Sequence, residues 1–154
     1  MAMLELGNLA SSLAPFNVSA VSIGLNANSQ EAGLVVTLEL FFAAISSLYF
    51  GNAAYKGRIL GLIGSLIVMV CYYLCSVSID VNQITFIKAF SGVGCGMLIA
   101  SGHSILASSK DPNRSYALFT LFASLTAAFL IYISSTWIEA VSYTHLTLPT
   151  NREV

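Results

Sequence analysis

Long uncharged apolar runs constrain this chain more than any other feature. With charges and turn residues as punctuation, five stretches emerge, at about Leu4 to Leu25, Ala32 to Ala54, Ile59 to Ile79, Asn82 to Ala107 and Ser115 to Ile138. Each has roughly the 20 residues that a helix needs to cross the hydrocarbon layer. The connections, Asn26–Glu31, Tyr55–Arg58, an Asp80-Val81 corner and Ser108–Arg114, are short. Short links make sequential neighbours antiparallel, which predicts an all-α, up-and-down transmembrane bundle. The runs are too long and too unalternating for a barrel, whose strands read as about 10-residue alternating segments.

Composition removes the rival classes. Only 8% of the 154 residues are charged and 56% are hydrophobic, whereas soluble domains carry about 25% charged residues. A soluble enzyme is therefore not expected. Six Lys/Arg against seven Asp/Glu leaves no basic field for nucleic acid. Cys71, Cys75 and Cys95 lie in apolar runs without paired spacing, so neither disulfides nor a metal site is expected. Met1-Ala2-Met3-Leu4-Glu5 lacks the positive start of a secretory signal. No pair of acidic or metal-ligating residues recurs across the spans, so no intramembrane enzyme and no cofactor is expected.

Orientation follows from Lys and Arg in the loops. The first and third connections have none, the second holds Lys56 and Arg58, and the fourth holds Lys110 and Arg114. That alternation suits five sequential crossings with the N-terminus cytoplasmic. Tyr49, Tyr55, Tyr116 and Trp137 sit near span ends, where amphipathic rings favour the interface.

Polar residues inside the spans are the candidate site, because charge in the membrane is costly and marks function by default. Glu39 lies about 12 Å past Glu31 and Lys88 about 9 Å past Asn82 at roughly 1.5 Å per residue. Their similar depth permits an ion pair. In the first span Glu5, Asn8, Ser12, Pro15, Ser19 and Ser22 share one sector of the helix. Such a stripe should face a cavity or a neighbouring helix, with Pro15 kinking the segment. Asn17 lies opposite, and its Asn-Val-Ser sequon is embedded in a span, which argues against glycosylation. In the fourth span Gly92, Gly96, Ala100 and Ser104 form an i+4 ladder, with Gly94 between, that lets another helix approach closely. Lys88, Gly92, Cys95 and His103 share a face. His103 could relay protons, although a hydrogen-bonded structural role is the commoner fate of such a histidine. Cys71 and Cys75 read as small packing residues.

Val141 to Val154 breaks the apolar pattern. Val141 to Thr150 back-translates as GTC TCT TAT ACA CAT CTG ACG CTG CCG ACG, which resembles the transposon end and adapter of tagmentation sequencing libraries. The expectation is a non-native tail at 141–154, following a natural membrane domain over 1–140 that stops after its fifth span.

Three local patterns resemble the N-terminal part of a major facilitator superfamily transporter. Ser29-Gln30-Glu31-Ala32-Gly33-Leu34 is similar to that family's entry to its second helix. Gly51-Asn52-Ala53-Ala54-Tyr55-Lys56-Gly57-Arg58 falls where the family has a cytoplasmic Gly-x-x-x-Asp-Arg-x-Gly-Arg loop, with Tyr55 in the acidic position and one residue fewer. Lys88-x-x-x-Gly92-x-Gly94 resembles the fourth-helix Arg-x-x-x-Gly-x-Gly motif, with Lys for Arg. Pro112-Asn113-Arg114 suits the second cytoplasmic loop. The resemblance implies five spans of a six-helix half and transport of a small solute by alternating access, often proton-coupled, in the plasma or inner membrane. The partners would be the bilayer, the solute, protons and a missing second half. Helices one and four of that family face the cavity, which suits Asn8, Ser12, Ser19, Ser22 and Lys88 as a solute or proton path beside the intramembrane candidates Glu39 and His103, and Gly51, Lys56, Gly57 and Arg58 would form the loop motif. The alternative is a small multi-span protein with a structural or interaction role.

Overall fold

A computed structural model describes residues 2–25, 27–52 and 57–146, with side chains described over 4–8, 10–25, 27–52 and 57–133. The described residues are helical, with α1 Ala2–Ser12, α2 Ala14–Leu25, α3 Ser29–Gly51, α4 Gly57–Val77, α5 Val81–Ala107 and α6 Pro112–Leu146. Four of these, α3 to α6, are long and apolar enough to cross a membrane. The chain is a multi-span helical membrane protein.

The first expected span is a correction: residues 4–25 form two helices, not one. The break falls at Leu13, just before Pro15. Proline has no N–H for the carbonyl four residues back, and its ring crowds that carbonyl. The helix restarts with Asn17 N–H donating to the Leu13 carbonyl at 2.9 Å. The two halves then take different neighbours, α1 packing chiefly on α5 and α2 on α3.

Other boundaries move by a few residues because polar caps start helices earlier than hydropathy does. Asn28 closes a reciprocal capping box on α3: its side chain accepts from Glu31 N–H at 2.8 Å, and its own N–H donates to Glu31 Oε2 at 3.0 Å. The Asp80 side chain accepts from Gln83 N–H at 3.2 Å to start α5. Asp111 accepts from Arg114 N–H at 3.2 Å, with Pro112 in the first turn of α6, where its missing N–H costs nothing. At the far end α6 continues as backbone to Leu146, past the expected end near Ile138 and into the Val141–Val154 tail.

α5 is the central helix. Of its most apolar stretch 61% is buried, against 6% for α6. Glycines make this possible, each on the side of a different neighbour. A Cβ on Gly92 would collide with the Glu39 carbonyl, and one on Gly96 with the Ala43 carbonyl and, at 2.6 Å, with Ser46 Cβ. Gly94 faces α4, where the Gly64 carbonyl stands 2.9 Å from such a Cβ, and Gly102 faces Leu4 of α1. The expected ladder at Gly92 and Gly96 therefore meets α3, with Ala100 also buried. The contacts also set direction. Glu39 and Ala43 match Gly92 and Gly96 in parallel, whereas Gly57 and Gly64 match Ser101 and Gly94 in antiparallel, as an up-and-down bundle requires.

Close backbone approach, rather than apolar area, is what binds helices already surrounded by lipid. Gly96→Val should therefore lower stability by about 1–3 kcal/mol, the usual cost of forcing extra atoms into a packed site. Gly33→Ala, with open space around it, should be neutral or gain up to about 1 kcal/mol from helix propensity. Reversible unfolding in detergent micelles checks this. Equal losses in both variants would contradict the packing described.

Candidate functional site

Where α3 and α5 touch, the bundle holds Glu39 and Lys88 together. Glu39 is 0% exposed and Lys88 5%. Lys88 Nζ donates to Glu39 Oε2 at 3.2 Å and to Oε1 at 3.4 Å. Ser91 Oγ donates to Oε1 at 3.1 Å, and the Tyr72 hydroxyl reaches the same oxygen at a long 3.5 Å. Lys88 Nζ also stands 4.1 Å from the centre of the Tyr72 ring, a cation–π distance. The carboxylate is thus met from α4 and α5, and the ammonium by a carboxylate and an aromatic face.

Local sequence explains the geometry. Lys88 and Gly92 are one turn apart, so the glycine that admits the α3 backbone at Glu39 lies directly under the lysine. Ser91 adjoins that glycine and turns its hydroxyl onto the carboxylate. A short cross-helix bond, Ser46 Oγ donating to the Val93 carbonyl at 2.8 Å, fixes the same interface further along.

Of two cavities along α5, one reaches this pair and the other lies further along the helix. The first, about 370 Å³, lies between α2, α4 and α5 and is lined by Asn17, Val21, Leu25, Tyr72, Cys75, Ser76, Ser78, Ile84 and Lys88, among others. The second, about 550 Å³, is bounded by Ser47, Gly51, Ile99, Ala100, His103, Ser104, Ala107 and Tyr116. Lys88 is in the wall of the first; Glu39 is in neither.

Other expected site residues are placed differently. His103 shares no contact with the pair: it is exposed, stacks on Tyr116 with ring centres 5.8 Å apart, and its carbonyl accepts from the Tyr116 hydroxyl at 3.2 Å. Asn8, Ser12, Ser19 and Ser22 line neither cavity. All four are half-buried; the Asn8 carbonyl accepts from Ser11 Oγ at 2.8 Å, and Ser22 Oγ donates to the Ala27 carbonyl at 3.0 Å. On α2 the opposite side, with Asn17, faces the cavity. Among the loop residues Gly51 ends α3, Gly57 opens α4 beside Ser101, and Arg58 is exposed; Lys56 lies outside the described residues, as does Tyr55. The Trp137 side chain is likewise outside them. Cys71 and Cys95 are buried packing residues, whereas Cys75 is half-buried in the cavity wall.

Tyr72, Ser91, Asn17 and Cys75 were not legible as site residues. Ser91 had a signal, lying three positions beyond Lys88 on nearly the same face. Tyr72 and Cys75 lie on another helix, and nothing local marks them.

Comparison with protein families, with curated proteins and with solved structures gives no match to this chain. Fold and site together define its class, a polytopic helical membrane protein with one buried, hydrogen-bonded ion pair among its described residues.

Removing one member of a buried pair typically costs about 3–5 kcal/mol, whereas replacing both is often neutral. Lys88→Met should therefore destabilise by about 3 kcal/mol, and Lys88→Met with Glu39→Leu should recover most of that loss. Ser91→Ala should cost about 1 kcal/mol, one hydrogen bond. A double-mutant cycle read by unfolding in micelles checks the coupling; additive losses at 39 and 88 would contradict it.

Proposed function

We propose that this chain is the N-terminal part of a secondary transporter of the major facilitator type, moving a small solute by alternating access with proton coupling, in a plasma or inner membrane with the N-terminus cytoplasmic. The observation that carries the reading is the buried Glu39–Lys88 pair, with Lys88 in the wall of a cavity between α2, α4 and α5. A charge pair deep in apolar surroundings is expensive to keep, and ionisable groups so placed generally serve proton or substrate paths. Transporters of this architecture put their binding groups near the midplane, between repeats that rock about the site. The motifs around Ser29–Leu34, Gly51–Arg58 and Lys88–Gly94 support the same reading from the sequence.

Glu39 is the group suited to take up and release a proton, since protonation removes its charge while Ser91 and Tyr72 remain as hydrogen-bond partners. Lys88 is suited to follow, held by Glu39 in one state and released to another partner in the next. The helices Ser29–Gly51 and Val81–Ala107 act as the rigid frame, and the weakly packed α6 presents apolar side chains such as Leu121, Phe122 and Leu125 to lipid or to helices of the missing second half. No chemical transformation is assigned to the protein.

The test is proton-driven uptake in proteoliposomes carrying the complete protein read from its natural locus. Glu39→Gln and Lys88→Ala should each lower uptake per folded molecule by about tenfold or more, a loss of at least about 1.4 kcal/mol in the transport barrier, and beyond any loss of folded protein. Wild-type uptake in both variants would sink the assignment. The 154-residue chain alone should give no uptake, and uptake by it would overturn the fragment reading.

A further inference from the structure

The cavity at the far end of α5 has no part in the ion pair and a different character. It extends from Ile99 to Ala107, about 12 Å along the helix at roughly 1.5 Å per residue. Its volume of about 550 Å³ is within the range of small-molecule sites. α3 bounds it with Ser47 and Gly51, and α6 with Tyr116. Gly51, His103 and Ala107 are exposed, so the cavity is open to its surroundings. Those surroundings are the ends of three apolar helices, where hydrocarbon meets headgroups.

The wall fixes the charge of an occupant. No Lys, Arg, Asp or Glu lines it. An ion taken into it would lose hydration with no counter-charge to meet it, which is costly for either sign. A neutral molecule meets no such obstacle.

The wall also fixes what the polar end of that molecule must be. Ser47 Oγ donates its proton to the Ala44 carbonyl at 2.9 Å, and the Tyr116 hydroxyl donates to the His103 carbonyl at 3.2 Å. With both protons committed, these two oxygens are left as acceptors. An ether or ester, which only accepts, finds no partner in them. A ligand hydroxyl, which donates, does.

Shape comes from the remaining lining. Gly51, Ala100 and Ala107 carry nothing longer than a methyl group, which leaves a smooth wall. The His103 and Tyr116 rings, stacked with centres 5.8 Å apart and planes 25° from parallel, add a flat one. Such surfaces make most contact with a rigid planar body, and a rigid body loses little freedom on binding. A neutral, flat alcohol that resides in membranes is a sterol. The order basic, aromatic, aliphatic at Arg114, Tyr116 and Leu118 matches a short pattern associated with sterol contact, weak by itself and concordant here.

We infer that the α3–α5–α6 cavity binds a membrane sterol or sterol-like polycyclic alcohol, its hydroxyl donating to Ser47 or Tyr116 and its rings lying against Gly51, Ala100 and Ala107. The site requires the chain to lie in a membrane and is independent of whether it transports.

The experiment uses the full chain in phosphatidylcholine nanodiscs that contain a photoreactive cholesterol with a ring diazirine and a free hydroxyl. Labelled peptides are located by mass spectrometry. Labelling should fall on the ends of α3 and α5 and the start of α6, and excess cholesterol should suppress it about tenfold, the effect of a site with one decade of preference over bulk lipid. Cholesteryl methyl ether has no proton to donate and cholesterol sulfate is an anion; neither should suppress it. Oleyl alcohol, with a flexible body, should suppress it only weakly. Ala107→Phe, a change at an exposed position that fills the slot, should abolish the labelling and leave the unfolding midpoint unchanged. Ser47→Ala with Tyr116→Phe removes both acceptors and should weaken cholesterol competition by about fivefold, the worth of one hydrogen bond. Labelling confined to other lipid-facing surfaces would overturn the inference. So would suppression by the methyl ether or the sulfate equal to that by cholesterol, full labelling in Ala107→Phe, or unchanged competition in the double variant. The complete protein read from its natural locus should be labelled at the same sites; loss of labelling there would mean that a further helix fills the cavity, and would equally overturn it.

Discussion

The structure depends on one contact, the approach of the α3 backbone to α5 at Gly92 and Gly96. In lipid no hydrophobic force draws two apolar helices together, since the tails are as apolar as the side chains. What holds them is van der Waals contact between backbones, together with a few polar bonds that have no competitor in the hydrocarbon. Here both occur in the same place. The glycines bring the carbonyls of Glu39 and Ala43 against α5, and at that spacing the Glu39 carboxylate reaches Lys88 and Ser91. Without the close approach the two charges would sit apart in the membrane, each needing its own route to water.

The arrangement around this contact follows from it. α5 lies at the centre because its small residues point in three directions, to α3 at Gly92 and Gly96, to α4 at Gly94 and to α1 at Gly102. Each neighbour adds something different. α4 contributes Tyr72, whose ring covers the ammonium. α3 contributes the carboxylate and the Ser46 bond to Val93. The chain broken at Leu13 sends α1 to α5 and lets α2 lean on α3 at the opposite end, where Val21, Ala27, Ala32, Val35 and Ile84 form an apolar cluster. That leaning half-helix forms one wall of the smaller cavity, so the proline that interrupts the first span also shapes the site.

Much of this was legible in the sequence because membrane rules are few and strict. Long apolar runs located α3 to α6, the loop charges punctuated them, and the scarcity of intramembrane charge singled out Glu39 and Lys88. The i+4 spacing of Gly92 and Gly96 showed that something must pack closely there. What escaped was whatever depends on which helix is the neighbour. Tyr72 and Cys75 share no sequence proximity with Lys88. The stripe from Asn8 to Ser22 assumed an unbroken helix, and a Pro15 kink was foreseen where a full break occurs. On α2 it is Asn17, rather than Ser19, that lines the cavity, because that side of the half-helix meets α4 and α5. His103 shares a nominal face with Lys88 but lies about 22 Å further along at roughly 1.5 Å per residue, in the other cavity.

Glu39 and Lys88 form a direct, buried pair, and that contact can be read in the membrane itself. Dipolar recoupling by solid-state NMR, on the chain in lipid bilayers with nitrogen-15 at lysine Nζ and carbon-13 at glutamate Cδ, reads that contact directly. Strong dephasing is expected between one lysine and one glutamate, as the 3.2 Å nitrogen–oxygen separation requires, and it should disappear in Glu39→Gln. No dephasing in the unmodified chain, or dephasing that persists in Glu39→Gln, would contradict it.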